Sequence, residues 1–557
     1  MYEQIYDPVA SSLGWSSVFA VLPLVALFIM LGILRIPAQW AAITALGVAI
    51  VVALAAYSMP LGQALDAGWE GAAFGLFPIM WIVVNAIWIY NMTVESGHFE
   101  VLRRSFGVIS SDQRVQAVLI AFSFGALIEA LAGFGTPVAI SSVMLIGLGF
   151  RPAKAAAVSL VANTAPVAFG AIAIPITTLS EVSGQSVDNL GSMVGRQTPF
   201  LALIVPLILV GMVDGRRGIR QAWPAALVGG LAFAIGQFVT SNYISVELTD
   251  IIASLASAAA IVLLLQVWQP GEVVPAEGEV GPRPAMAGGS AADPAFERRI
   301  AGRGGGERDR GIEVVRAYAP YLIIILVFAL AEISWLPFVD WLDKPTKEFH
   351  WPGLHVVNPD GEEPSSAIFK FNWLSAAGTL LLISGLLTIP VLAIRPAQAV
   401  RAWLRTVYQL RWAIITVASV LALAFVMNFS GETITLGLWM AGAGGFFAFL
   451  SSLLGWFGVA VTGSDTSSNS LFGALQVTAA KDAGLDPVLM AASNSSGGVL
   501  GKMISPQNLA IGAAAVGMGG REGEIFRRVI GWSLLLVLLM CVLVYLQSKG
   551  VLSWMVP

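Results

Sequence analysis

Two polar, glycine-bearing stretches lie inside long apolar segments, where a membrane-spanning chain can least tolerate irregular backbone: Glu129-Ala-Leu-Ala-Gly-Phe-Gly-Thr-Pro137 and Thr462-Gly-Ser-Asp-Thr-Ser-Ser-Asn-Ser470. Hydrocarbon offers no partner to a free N–H or C=O. Non-helical backbone therefore survives at membrane depth only where protein buries it or it lines a wet cavity. Matched interruptions in the two halves of a chain point to a transporter's binding site.

Composition supports a membrane setting. Of 557 residues, 57% are hydrophobic and 11% charged, against about 25% charged in an ordinary globular domain. Many apolar runs exceed the roughly 18 residues that suggest a bilayer span. A net charge of −4 gives no sign of a nucleic-acid partner. The single cysteine, Cys541, cannot form an internal disulfide and reads as a small apolar packing residue. Met1 to Trp15 has no basic n-region, so the first apolar run is expected to be a retained span.

Full spans are expected near 17–34, 38–58, 69–92, 153–180, 198–214, 222–241, 248–267, 316–336, 371–394, 410–429, 486–512 and 528–547, about 12 in all. Stretches 114–150 and 434–480 are each interrupted near the middle and are expected to fold as helical hairpins. Arginine and lysine clusters at 103–114, 151–154, 216–220, 298–316, 395–411 and 521–528 fall on one side if both termini lie outside. The fold class expected is an all-α polytopic membrane protein built from inverted repeats of five spans plus one hairpin each, with broken helices at the midplane. The first repeat is 1–214, two connecting spans occupy 215–268, and the second repeat is 314–557. Ordered echoes support the pairing: Gly133-Phe-Gly-Thr136 against Gly463-Ser-Asp-Thr466, Asn163 against Asn494, and Pro175 against Pro506. Region 269–313, rich in Pro, Gly, Glu and Arg, is expected to be a flexible cytoplasmic linker. Loop 337–370 is expected to form a small outer cap.

The candidate chemistry sits at the interruptions. A charge at mid-membrane costs roughly 2.5–3.5 kcal/mol on insertion scales, so Glu129 and Asp465 are the candidate proton-coupling groups. Each has a plainer reading, Glu129 as a carboxyl capping a broken helix and Asp465 as part of a helix N-cap. Helix starts at the two tips offer free N–H groups and a positive dipole end to a carboxylate. The candidate substrate residues there are Gly133, Gly135, Thr136, Thr462, Gly463, Ser464, Thr466 and Ser467. Asn163-Thr-Ala-Pro166 and Asn494-Ser-Ser-Gly-Gly498 are expected to interrupt the spans after each hairpin. This adds Asn163, Thr164, Asn494 and Ser495, whose plainer reading is interhelical hydrogen bonding. Lys502, near Ser505, is placed to pair with Asp465, Glu129 or a bound anion, or else to snorkel. Arg196 reads as a boundary anchor, and Glu95 and Glu432 as solvated span ends. No metal spacing and no cofactor motif is present. The absence of His-Glu-x-x-His and Gly-x-Ser-x-Gly weighs against an intramembrane enzyme.

These motifs, with Asn163-Thr-Ala-Pro-Val-Ala-Phe-Gly170, Val194-Gly-Arg-Gln197 and Met503-Ile-Ser-Pro-Gln507, resemble the lactate permease family, and the likeness runs from Tyr6-Asp-Pro8 to Trp554-Met-Val-Pro557. The resemblance implies proton-coupled uptake of L-lactate, D-lactate and glycolate across the bacterial cytoplasmic membrane. By fold-level analogy it also implies an elevator motion of the hairpin-bearing domain. The partners expected are a small monocarboxylate, H⁺ and the lipid bilayer. Sodium coupling remains a rival reading, because broken-helix carbonyls suit Na⁺, and an anion channel is a further one.

Overall fold

A computed structural model describes every residue except 35, 108, 111, 134, 273, 275–310, 333–337, 360, 362, 365–366 and 519–520. The expected linker 269–313 therefore lies mostly outside the described residues. The described chain is overwhelmingly helical, with four short strands. Nine described helical runs are long and apolar enough to cross a membrane, or ten if a bent pair counts as one.

The first half runs through α1 (Leu13–Ala20), α2 (Leu22–Phe28), α3 (Ala38–Ala55), α4 (Leu61–Phe74), α5 (Trp81–Glu95) and α6 (His98–Gly107). Phe77 leaves helical geometry just before Pro78 and separates α4 from α5, as expected where a residue has no N–H to give. Next, α7 (Gln113–Gln116) continues through wide helical turns, Ala117–Phe124, into α8 (Gly125–Ala132). The run Gln113–Leu131 is wholly buried in the protein. α9 (Thr136–Gly147) folds back on α8, so stretch 114–150 is a hairpin with one long arm. α10 (Pro152–Ala162) and α11 (Gly170–Ser183) meet at a 68° bend, and α12 (Val187–Val194) follows.

α13 (Thr198–Tyr243) holds both expected spans 198–214 and 222–241 in one run. The run reverses at Asp214–Gly215, where Gly215 has φ 58. Gly230 then packs back on the Ala202 carbonyl, 2.6 Å from where a Cβ would stand. α14 (Thr249–Val267) lies along α13.

The second half contains α15 (Gly311–Glu332), α16 (Phe338–Asp343), α17 (Ala377–Val391), α18 (Pro396–Ser430), α19 (Glu432–Ala441), α20 (Phe447–Thr462), α21 (Asp465–Asp482), α22 (Pro487–Gly501), α23 (Pro506–Ala515) and α24 (Glu522–Gln547). Several elements differ from expectation, and the span expected at 410–429 is the end of the 35-residue α18. The span expected at 371–394 is a 15-residue helix. Stretch 434–480 carries an additional short helix, α19, which packs on α1 and α21. The break expected at Asn494–Gly498 falls later, at Lys502–Ser505, because α22 runs unbroken to Gly501. Its glycines serve packing instead. An added Cβ on Gly497 or Gly501 would collide with the backbone of Ser452 or Trp456, the close approach that small residues permit between membrane helices.

The described part of loop 337–370 carries short strands. β2 (Lys347–His350) pairs antiparallel with β4 (Ile368–Phe371), and β3 (Val356–Val357) pairs parallel with β1 (Tyr2–Glu3) at the N-terminus. α24 shows the setting of the fold. Leu534, Leu535, Leu538, Leu539 and Val542 are exposed, whereas Leu536, Val537, Met540, Cys541 and Val544 are buried. A helix apolar on both its buried and its exposed face suits hydrocarbon rather than water. Cys541 is a buried free thiol within that packing.

Candidate functional site

The two tips are built by glycines that hold backbone other residues avoid. α8 stops at Gly133 (φ 50, ψ −148), and Gly135 (φ 81) starts α9. α20 stops at Gly463 (φ 77), and the Ser464 hydroxyl caps α21 by accepting the Ser467 N–H at 3.2 Å. Ser464 is thus the N-cap, and Asp465 is the first residue of the helix. Thr462 is spent on the same turn, donating to the Gly458 carbonyl at 2.8 Å.

One residue touches both tips. Asn508 Nδ2 donates to the Gly463 carbonyl at 3.2 Å and to Ser505 Oγ at 2.8 Å. Its Oδ1 lies 3.3 Å from where a Cβ on Gly135 would stand. The segments 129–137 and 462–470 are therefore neighbours, as their echo implied. Asn508 itself carries no local signal beyond standing two residues after Pro506.

Lys502 crosses between the halves. Its Nζ donates to Glu129 Oε1 at 2.7 Å, with the lysine side chain 8% and the glutamate side chain 3% exposed. The lysine does not snorkel. Gly170 presses on the same carboxylate, its notional Cβ only 2.7 Å from Oε1. Glu129 Oε2 has no hydrogen-bond partner. Asp465 Oδ2 accepts from Ser495 Oγ at 2.5 Å and from Asn469 Nδ2 at 3.5 Å, and Oδ1 has no partner.

The two asparagines paired by sequence behave differently. Asn494 is engaged at both ends of its amide: Nδ2 donates to Asn469 Oδ1 at 2.9 Å, and Oδ1 accepts from Gln476 Nε2 at 3.1 Å. Asn469 in turn donates to the Pro175 carbonyl at 3.0 Å, which ties α21 to the broken helix α10–α11. Asn163 ends α10, is 4% exposed, and neither its Nδ2 nor its Oδ1 has a partner. Thr164 next to it is occupied with the Val161 carbonyl at 2.7 Å. Beyond the break, Ala171, Ile172 and Ala173 hold φ of 45, 60 and 56. Three successive side-chain-bearing residues in the left-handed region are costly backbone at the break. The two broken helices, the two tips and the Lys502–Glu129 pair thus converge.

Thr136 and Thr466 are half-buried at the starts of α9 and α21. Among the candidate residues described above, Glu129 Oε2, Asp465 Oδ1 and both ends of the Asn163 amide lack a partner. A buried cation with spare acceptors and a spare amide can hold a small anion that also carries a hydroxyl. Arg196 is an anchor, donating to Asn242 Oδ1 at 2.8 Å and to the Met555 carbonyl at 2.9 Å. Glu432 was expected to be solvated. It is fully buried instead, accepts from Ser430 Oγ at 3.1 Å, and keeps one oxygen unpartnered. The N-terminal strand covers this region, with Tyr2 donating to the Ser430 carbonyl at 2.9 Å.

A sequence model described as L-lactate permease matches residues 16–550. The chain is 40% identical to an L-lactate permease of Bacillus subtilis (strain 168), with all of both chains covered. It is 40% identical to the glycolate permease GlcA of Escherichia coli (strain K12), covering 98% of each. It is 32% identical to an L-lactate permease of Halalkalibacterium halodurans, covering 98% of this chain and 99% of the relative.

Proposed function

The chain belongs to the L-lactate permease family, and from that premise we propose that it is a proton-coupled symporter importing L-lactate, D-lactate and glycolate across the bacterial cytoplasmic membrane. The observation that carries this reading is the buried Lys502–Glu129 pair beside both hairpin tips. A lysine in that place needs an anion at all times, since an unpaired buried charge is far costlier than a paired one. With Glu129 ionised, Glu129 is that anion. A proton on Glu129 frees Lys502 for the substrate carboxylate, and the charge count is unchanged. Proton and monoanion then cross together, electroneutrally, driven by the pH difference.

The substrate's remaining contacts follow from what is unoccupied. Asn163, with both amide ends free, takes the 2-hydroxyl; Asn494, bonded at both amide ends within the bundle, positions Asn469 and, through it, Asp465. Thr136, Thr466 and the N–H groups at the two helix starts complete the carboxylate's surroundings. Asp465 is the second candidate proton carrier. The two halves, each with a tip followed by a broken helix, act as inverted repeats, with both termini outside and the hairpin-bearing part moving as an elevator.

Purified protein in liposomes tests the reading. An inward pH gradient should drive labelled lactate uptake without sodium. Uptake that follows a sodium gradient at equal pH would replace the proton with Na⁺, and flux indifferent to either gradient would indicate a channel.

A further inference from the structure

The motif Val194-Gly-Arg-Gln197 leads to a buried acid that the site above does not use. The Thr198 hydroxyl lies 2.9 Å from Gln237 Oε1 and 3.0 Å from the Val194 carbonyl. Gln237 Nε2 donates to Asp250 Oδ1 at 2.9 Å and to the Ala165 carbonyl, inside the break of α10–α11, at 3.4 Å. Next to Thr198, Gln197 Oε1 accepts from Ser496 Oγ at 2.7 Å, and Ser495 holds Asp465. Thr198, Gln197, Gln237, Asp250 and Ser496 are all fully buried. A continuous polar seam therefore joins Asp250, on the connecting helix α14, to the broken helix and to α22.

Asp250 Oδ2 has no partner, and no cation among the described residues pairs with this carboxyl. An ionised carboxylate so placed costs several kcal/mol unless it is paired. An asparagine could serve a purely structural bond to Gln237 equally well. Among the elements packed on α14, α8 carries Glu129. The wide turns Ala117–Phe124 bring no titratable group. α13 carries its charges only between Asp214 and Arg220, and α11 has only Glu181, whose electrostatic neighbours are Glu70 and Lys370.

We infer that Asp250 is a further proton-binding group of the transport cycle, beyond Glu129 and Asp465, exchanging its proton with Glu129 and linked to the helix break through Gln237. This rests on the proton-symport reading. In the step, the proton leaves Asp250 Oδ2 and reaches the Glu129 carboxylate through water admitted at the break. The Asp250 carboxylate left behind keeps the Gln237 N–H as its donor until it is reprotonated from the aqueous side. Protonation of Asp250 loosens that bond and leaves the Gln237 amide to the Ala165 carbonyl.

The test compares two fluxes in liposomes: lactate–lactate exchange at equal pH, and net uptake driven by a one-unit pH step. For one proton per lactate, that step supports about tenfold accumulation. Asp250→Asn should keep exchange and lose the accumulation, and Asp250→Glu should restore it with a displaced pH profile. Gln237→Leu, which leaves the acid in place, should shift the pH profile of uptake and serves as the deciding variant if Asp250→Asn does not fold. Wild-type accumulation and pH profile in Asp250→Asn, or an unshifted profile in Gln237→Leu, would overturn the inference alone. A wild-type protein indifferent to the pH step would overturn the symport reading as well.

Discussion

Replacing Glu129 with Gln isolates the charge exchange at the heart of the proposed cycle. The substitution keeps the side chain's shape and removes the anion that lies 2.7 Å from Lys502 Nζ. With both side chains under a tenth exposed, breaking the pair from one side is expected to destabilise the protein by roughly 3–5 kcal/mol. Lys502→Gln should do comparable damage. The double variant removes both charges together, so its loss should fall well short of the summed singles. Lactate supplies a replacement carboxylate. At a hundredfold excess over its Kd it should return about 2.7 kcal/mol to Glu129→Gln, and the ligand-induced rise in thermal midpoint should exceed that of the wild type. Lactate binding to Glu129→Gln should also lose its pH dependence, because no proton is then needed to free the lysine. Thermal unfolding in detergent, with and without lactate, combined with binding from pH 5 to 8, measures all of this. Additive losses in the double variant, or unaltered pH dependence of binding in Glu129→Gln, would refute the competition of glutamate and substrate for one lysine.

Asn163→Ala, which loses no internal hydrogen bond, should leave thermal stability near wild type and weaken lactate by about 0.5–1.5 kcal/mol. Propionate, which lacks the hydroxyl, should be unaffected in competition uptake. Asn494→Ala strips partners from Asn469 and Gln476 and should instead destabilise the fold by about 1–3 kcal/mol, seen as a lower unfolding temperature. Gly170→Ala sets a methyl 2.7 Å from Glu129 Oε1 and should abolish pH-driven uptake while membrane insertion persists. Beside α7, burial alone would push the Asp112 carboxyl up, but hydrogen bonds from Arg114 and the Val274 N–H outweigh it and hold it below the usual carboxylate range. A lowered folded-state value stabilises above the unfolded value and is lost as pH falls through the folded one. Amide exchange at Val274 should therefore stay slow from neutral pH down to about 4 and quicken only below it.

The hairpin tips were legible because their signal is local: glycines and short polar side chains within an apolar run have few explanations other than a turn inside the membrane. Glu129 and Asp465 stood out for the same reason. The Lys502–Glu129 pair spans 373 residues, and no periodicity near either residue announces it. Asn494-Ser-Ser-Gly-Gly498 looked like a break because glycine weakens a helix, but those glycines admit neighbouring backbones and the helix survives on that packing. Glu432 follows Gly431, a left-handed helix cap at φ 93, which resembles the edge of a span. Its burial is completed by the distant strand at Tyr2, which nothing in the local pattern reveals. Asn508 and Asp250 were missed because each gains its meaning only from helices contributed by the other parts of the chain.

The left-handed turn at Ala171, Ile172 and Ala173 has a mechanical corollary. Each side-chain-bearing residue held in that geometry costs roughly 1–2 kcal/mol, so the three together keep about 3–6 kcal/mol under tension. That sum matches what one proton releases on descending two to four pH units at about 1.4 kcal/mol each. In the proposed cycle, a break costing this much is of the size that one lactate and one proton together can offset.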